Sequence, residues 1–350
     1  MHPILIDYIG FLLQAVTVVV SVGVVAALIA SAFRGRRMPP IGRLTVRKLN
    51  DRFKKMSAAV NDAALPPAAA KVAAKNRAKE RKKRDKEKAK SVEKSGTSGR
   101  KRVFVLDFRG DVRAKGVKSM REEITAVIGA AKAGDEVVVK VESGGGAVSA
   151  YGLAASQLER IRTAGLKLTT VVDKVAASGG YMMAVVGDRI VAAPFAVVGS
   201  IGVIAGVPNV RRLLQQHGVD YEQITAGKFK RTLTVMGENT EEGRAKMQAE
   251  MEDIHTVFKE LITSHRPDVN LDKIATGEWW LAKRGIELGL VDELGTSDDV
   301  LLAAAKDADV FEVKWSAPRS LSDRMGGAVE AVIRRAAVAW MDVGAVDPRF

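Results

Sequence analysis

The sequence predicts an α/β domain with a mainly parallel sheet, preceded by a transmembrane helix and a basic linker. From residue 102 on, short apolar segments typical of buried strands alternate with amphipathic helical segments, which is the pattern of βαβ units. A long uncharged segment lies near the start of the chain. Between these two regions, basic residues greatly outnumber acidic ones. The chain therefore divides into an anchor, a charged connection and a globular part.

The uncharged segment, residues 8–33, contains no acidic or basic side chain over 26 residues. A helix of about 20 apolar residues suffices to cross the hydrocarbon core of a bilayer. We therefore predict a retained transmembrane anchor within residues 1–33. A cleaved signal peptide is the alternative, which the absence of lysine and arginine before the apolar run disfavours. Arg34, Arg36 and Arg37 follow, and the positive-inside rule favours a cytoplasmic location for this flank.

Residues 34–101 form the predicted basic juxtamembrane linker. Between Arg34 and Arg102 there are 24 lysines and arginines against 6 acidic residues, so the chain's net charge of +14 arises from this segment. Its composition predicts a helical or disordered stalk that lies in water or contacts anionic lipid head groups. Nucleic acid is not the expected partner, because no aromatic side chains interleave the charges of residues 75–90 as stacking platforms.

The globular domain is predicted over residues 102–318. Its predicted strands are 103–108, 136–141, 168–172 and 189–192, and its predicted helices are 120–133, 148–163, 181–186 and 241–263. The apolar stretch 182–207 predicts a buried strand and loop, because Asp188 and Arg189 disfavour a second membrane span. In parallel sheets ligands bind beyond the carboxyl ends of the strands, and two glycine clusters lie there.

Residues 319–350 predict a C-terminal amphipathic helix and tail. One apolar stripe follows helical spacing along Val329, Val332, Ile333, Ala336 and Trp340. Such a stripe is typical of packing or of an oligomer contact. A helix lying on the membrane surface is the alternative.

Composition excludes several kinds of site. The chain has no cysteine, so it contains no disulfide, no thiolate metal site and no cysteine nucleophile. Its four histidines, His2, His217, His255 and His265, include no helical pair at i, i+4 spacing. A metal site therefore has weak support in the sequence.

Ser178 is the candidate nucleophile, because it stands alone between two alanines and two glycines after an apolar segment. A serine here either caps the helix that follows or attacks a substrate. The glycines at 144–146 follow the preceding predicted strand, where bare N–H groups stabilise an oxyanion or simply form a tight turn.

A lysine is the remaining kind of general base, since no histidine is placed for that role. An amine acts as a base near neutral pH only where burial away from carboxylates lowers its pKa from about 10.4. Residues 225–232 offer Lys228 and Lys230, although a solvated basic loop is the simpler interpretation.

Four motifs together resemble the signal peptide peptidase A family of Ser-Lys proteases: ESGGG at 142–146, VAASGGY at 175–181, GSIGVI at 199–204 and AGKFK at 226–230. The resemblance implies a ClpP/crotonase-like fold of stacked ββα units without metal or cofactor. It implies that Ser178 is the nucleophile, Lys230 the general base, and the N–H groups of Gly145 and Gly179 the oxyanion hole. It also implies a homo-oligomer in which neighbouring protomers share the dyad.

The expected function is that of a membrane-anchored serine endopeptidase of the bacterial inner membrane, acting on signal-peptide or membrane-derived peptides. Family precedent places the catalytic domain outside the cytoplasm, opposite to the basic flank. Two positions depart from the family pattern: Gly144 replaces a common proline, and Lys174 replaces a common acidic residue. Lys174 is therefore a third candidate base, although Lys230 is favoured over both Lys228 and Lys174. The alternatives are a crotonase-like acyl-CoA enzyme and a catalytically silent membrane scaffold.

Overall fold

A computed structural model of the chain describes residues 10–18, 21–22, 42–95 and 100–317. Residues 44–316 form one compact unit, and residues 10–18 and 21–22, which are helical, belong to a separate unit. Most of the predicted anchor at 8–33 and the whole predicted C-terminal helix at 319–350 lie outside the described residues. Within the described ranges, no helix combines the length and apolar character that a bilayer crossing requires.

The compact unit is built on two β-sheets. Their strands are β1 Arg43–Lys48, β2 Arg102–Arg109, β3 Glu136–Glu142, β4 Lys167–Val172, β5 Val175–Ala177, β6 Arg189–Ala192, β7 Val197–Gly199, β8 Trp279–Leu281, β9 Glu293–Leu294 and β10 Asp309–Ser316. The main sheet has seven strands in the order β1-β10-β2-β3-β4-β6-β9, and the smaller sheet has the order β5-β7-β8. Neighbouring strands of the main sheet from β10 to β9 run parallel, which confirms the predicted parallel-rich α/β architecture.

Helices cover both faces of the main sheet. They are α1 Leu49–Ala63, α2 Pro67–Ser95, α3 Val117–Ala130, α4 Val148–Thr163, α5 Gly179–Ala184, α6 Arg211–Gln216, α7 Glu241–His265, α8 Leu271–Ile274, α9 Ala282–Gly285 and α10 Ser297–Asp307. Alternate residues of β2 belong to different apolar clusters: Val103 and Val105 to one, Phe104 and Leu106 to the other. This period of two is the reason that β2 is apolar throughout, because both of its faces are covered.

The region predicted as linker contains a strand and a helix of the compact unit. β1 extends the main sheet beside β10, and Leu49 of α1 belongs to the apolar cluster on one face of that sheet. The buried Asn50 side chain donates to the carbonyls of Ala305 and Ala308 and accepts the N–H of Val310. An ion pair between Arg77 and Asp62 links α2 to α1. Composition could not reveal the Asn50 contacts, since they join residues more than 250 positions apart in the sequence.

The smaller sheet carries the serine turn. Strand β4 does not lead directly into Ser178, because the chain first forms the three-residue strand β5, which pairs with β7. Ser143, at the end of β3, bridges to Ala176 of β5, so the two glycine clusters meet. The apolar stretch 182–207 contains β6 and β7, as predicted for strand and loop. Residues 201–240 then run with only the short helix α6 as regular structure.

Candidate active site

Ser178 has a strained backbone, and its hydroxyl makes no hydrogen bond to the residues that the structure describes. Its φ is 51° and its ψ is −119°, a conformation that costs a residue with a Cβ about 1–3 kcal/mol. Its N–H donates to the Gly199 carbonyl at 2.8 Å, and its own carbonyl accepts the Met182 N–H at 2.9 Å. Although Ser178 occupies the N-cap position of α5, its side chain makes no capping hydrogen bond. The capping interpretation therefore does not explain this serine.

The two glycines after Ser178 are required by close packing within the protein. A Cβ at Gly179 would overlap the ring of Tyr151, and a Cβ at Gly180 would overlap the Ser143 carbonyl. Both glycines are buried. They bring β3 and α4 against the serine turn, which is a structural reason for the AASGG sequence beyond open space for a substrate. The Gly179 N–H, at the start of α5, has no acceptor among the described residues.

Gly145 lies directly beside the turn that carries Ser178. Its φ is +91°, and a Cβ there would lie 2.7 Å from the Gly179 nitrogen and 2.8 Å from the Ser178 Cβ. The structure thus brings together three of the four predicted site residues: Ser178, Gly179 and Gly145. The Gly145 N–H, however, donates to the Oγ of Ser143 at 3.1 Å, so in this state it is not free for a substrate.

Sequence reasoning assigned no role to Ser143, Tyr151 or Ser200. The Tyr151 side chain is fully buried, and its hydroxyl lies 2.5 Å from Ser143 Oγ and donates to the Asp111 carbonyl at 2.8 Å. Burial raises the pKa of Tyr151, so the phenol keeps its proton at neutral pH. Ser200, which follows the Gly199 bonded to Ser178, also has a positive φ, of 52°. The only signal of Ser200 in the sequence was its place in the GSIG motif.

The three candidate lysines differ in their partners. Lys174 pairs with Glu142 at 3.0 Å, and Lys228 pairs with Glu242 at 2.6 Å. Lys230 is exposed, and its amine has no ion pair among the described residues. No hydrogen bond joins Lys230 to Ser178 within the part of the single chain that the structure describes. One chain therefore brings the predicted nucleophile next to Gly145 and Gly179, while the predicted base lies on the segment 201–240.

That segment exposes many apolar side chains. Ile204 and Ile224 are 94% and 96% exposed. Single exposed apolar side chains are common, but a group of them on one segment is typical of an interaction surface. Further exposed apolar side chains on the segment are Val207, Leu213, Val219, Tyr221, Phe229, Val235 and Met236. Among the described residues, no group of acidic and histidine side chains is arranged to hold a metal ion.

Comparison with known proteins gives the family. The model described as "Peptidase family S49 N-terminal" matches residues 3–158, and the model described as "Peptidase family S49" matches residues 160–311. A protein called probable protease SohB from Haemophilus influenzae is 46% identical over 333 residues, 94% of each chain. Another of that name, from Buchnera aphidicola subsp. Schlechtendalia chinensis, is 52% identical over 201 residues, 57% of this chain and 66% of its own.

A more distant relative extends the family beyond proteins of that name. Protease 4 of Salmonella typhi is 29% identical over 209 residues, which are 57% of this chain and 34% of its own. The family predicted from the four motifs is thus confirmed. The chain belongs to peptidase family S49 and is a homologue of the SohB proteases.

Proposed function

We propose that this protease is a serine endopeptidase in which Ser178 is the nucleophile and Lys230 the general base. The observation that carries the proposal is the geometry of Ser178: a strained backbone, a hydroxyl that caps nothing, and Gly145 and Gly179 packed beside it. Strain of this kind is retained where the surrounding structure holds it and is common at reacting groups. The alternatives, an acyl-CoA enzyme or a silent scaffold, give no reason for this serine.

In the proposed reaction, the neutral amine of Lys230 takes the Ser178 proton as Oγ attacks a peptide carbonyl. The N–H groups of Gly145 and Gly179 stabilise the oxyanion of the tetrahedral intermediate, and the lysine ammonium then protonates the departing amine as the C–N bond breaks. A water molecule, deprotonated by the same amine, hydrolyses the acyl-enzyme and restores Ser178. For this step the Gly145 N–H, which Ser143 Oγ accepts at 3.1 Å, would be shared between that oxygen and the oxyanion.

Ion pairing supports the choice of lysine. An amine that is paired with a carboxylate has to leave that partner before it can reach a serine hydroxyl. Lys174 and Lys228 each have such a partner, whereas no carboxylate pairs with Lys230 in the described part of the chain. Lys230 is therefore the best base of the three, provided that the active particle removes it from water.

A neighbouring copy of the chain is the proposed source of that burial. The segment 201–240 exposes apolar side chains such as Ile204 and Ile224 together with Lys230. Association of protomers through this segment would bury the apolar surface and bring Lys230 of one copy to Ser178 of the next. We therefore propose a homo-oligomer that shares the dyad between protomers, with the ClpP/crotonase-like arrangement implied by the family motifs.

The remaining parts of the proposal rest on the sequence. Residues 1–33 are the proposed anchor in the inner membrane, and the substrates are peptides with small or apolar residues near the cut, including signal-peptide or membrane-derived fragments. Residues 34–101 are proposed to include the basic stalk, and nucleic acid is not a proposed partner. The reaction requires neither a metal nor a cofactor.

Hydrolysis of an apolar peptide by the purified full-length protein tests the proposal. Ser178→Ala and Lys230→Ala should each lower kcat to background, whereas Lys228→Ala, a matched change two residues away, should retain most activity. Unchanged hydrolysis by either of the first two variants would refute the assignment. A mixed particle assembled from Ser178→Ala and Lys230→Ala protomers should regain part of the wild-type rate. An inactive mixed particle would contradict sharing of the dyad.

A further inference from the structure

Tyr151, on the first turns of α4, contacts all three turns that meet at the site. Its hydroxyl lies against Gly110 after β2, where a Cβ would overlap it, and against Ser143 after β3. Its ring lies against Gly179, beside the nucleophile. No atom of this side chain is exposed, so it acts from within the protein and not by contact with a substrate.

The hydrogen bonds around the phenol form a chain with one direction. Tyr151 donates its single proton to the Asp111 carbonyl at 2.8 Å, so its oxygen is left to accept from Ser143 Oγ at 2.5 Å. With its own proton directed to Tyr151, Ser143 Oγ accepts the N–H of Gly145 at 3.1 Å. The orientation of the Gly145 peptide is therefore linked through two hydroxyl groups to the main chain after β2.

Without the phenol oxygen, Ser143 Oγ loses the shorter of its two acceptors. Among the described residues, the other acceptor near Ser143 Oγ is the Gly110 carbonyl at 3.3 Å, a longer and weaker bond. The main chain of Ser143 stays bonded to Val175 and Ala177, and Gly145 still packs against Gly179. The phenol oxygen therefore restrains the direction of the Ser143 hydroxyl, and through it the Gly145 N–H, without being needed for the position of the turn.

We propose that Tyr151 is a positioning residue that, through Ser143, sets the direction of the Gly145 N–H beside Ser178. The inference rests on the proposed function, because it assigns that N–H to the oxyanion hole. Removing one oxyanion donor typically lowers kcat by about 100- to 1,000-fold, and loosening the donor should cost less. The expected loss on removal of the Tyr151 hydroxyl is about tenfold in kcat, with KM changed by less than about twofold.

Tyr151→Phe is the test, since it keeps the ring against Gly179 and removes only the hydroxyl. Tyr181→Phe is the matched control: Tyr181 is equally buried, and its hydroxyl donates to the Leu290 carbonyl at 3.0 Å, away from the glycine turn. Both variants lose a buried hydrogen bond and some stability. Only Tyr151→Phe should lower kcat, and equal kcat losses in the two would show a purely structural role and overturn the proposal.

Ser143→Ala tests the next link of the chain. It should lower kcat at least as much as Tyr151→Phe does, and the double variant should be no slower than Ser143→Ala alone, because both changes act on the same N–H. Losses that multiply in the double variant would refute transmission through Ser143.

Amide hydrogen exchange separates this inference from the proposed function. In Tyr151→Phe the Gly145 amide should exchange about tenfold faster than in wild type, whereas in Tyr181→Phe its rate should be unchanged. Unaltered exchange at Gly145 in Tyr151→Phe overturns the positioning role, whatever the activity. A wild-type protein without Ser178-dependent hydrolysis refutes the proposed function instead, and the exchange rates still decide whether Tyr151 restrains this turn.

Discussion

Replacement of Gly145 by alanine tests the close approach on which the site depends. At the φ of +91° a residue with a Cβ is strained by about 1–3 kcal/mol. The new Cβ would lie 2.7 Å from the Gly179 nitrogen and 2.8 Å from the Ser178 Cβ, neither of which is a flexible side-chain end. Overpacking of this kind adds about 1–3 kcal/mol. We expect Gly145→Ala to lower the free energy of unfolding by about 2–6 kcal/mol.

Thermal unfolding measures this effect against a neighbouring control. For a domain of this size, 1 kcal/mol corresponds to about 2–4 °C in Tm, so Gly145→Ala should lower Tm by roughly 4–24 °C. Gly144→Ala introduces the same methyl group one residue earlier, where nothing lies within 4 Å, and should change Tm by less than about 2 °C. Equal Tm values for the two variants would show that Gly145 does not pack against the serine turn.

Two further changes test the fold around the site. Asn50→Leu removes three buried hydrogen bonds to residues 305–310 and should lower the free energy of unfolding, measured with urea, by about 2–4 kcal/mol. Asn61→Leu, on the exposed part of the same helix, should lower it little, and equal losses in the two variants would contradict the docking of α1. Burial raises the pKa of Glu123 above its ordinary 4.5, so its stabilising contribution is present below that pH and is lost as the pH rises through the raised pKa. Glu123→Gln, which can still accept the Trp315 N–H, should therefore be more stable than wild type at pH 7 and lose this advantage below about pH 4. A difference in unfolding free energy that stays constant across that pH range would refute the burial of a charge.

Periodicity predicted the parts of the fold that local sequence determines. The apolar runs of β2 and β3 are covered on both faces, which makes such runs recognisable, and α4 begins and ends at the residues that its pattern predicts. Strand β1 and helix α1 were missed, because their burial depends on partners such as Ala308 that lie more than 250 residues away. Strand β5 has only three residues, too few for any period to appear.

The part of the candidate site that the sequence predicted consists of its glycines. Gly145 and Gly179 are required by positive φ or by close contact, and the sequence displays both requirements directly. The proposed roles of Ser143 and Tyr151 depend on a hydrogen bond between residues eight positions apart. No rule about residue spacing in the sequence reveals such a contact. The pairing of Ser178 with Lys230 stays a prediction from the family motifs, because no hydrogen bond joins the two groups within the described part of the single chain and the proposal assigns them to different copies.

Labelling with a fluorophosphonate probe tests the central claim most directly, since the probe reports an activated serine without knowledge of the substrate. Mass spectrometry of the full-length wild-type protein should locate the adduct on Ser178, and labelling should fall to background in Lys230→Ala but not in Lys228→Ala. An adduct on another serine, or labelling of Ser178 at an undiminished rate in Lys230→Ala, would contradict a Ser178–Lys230 dyad.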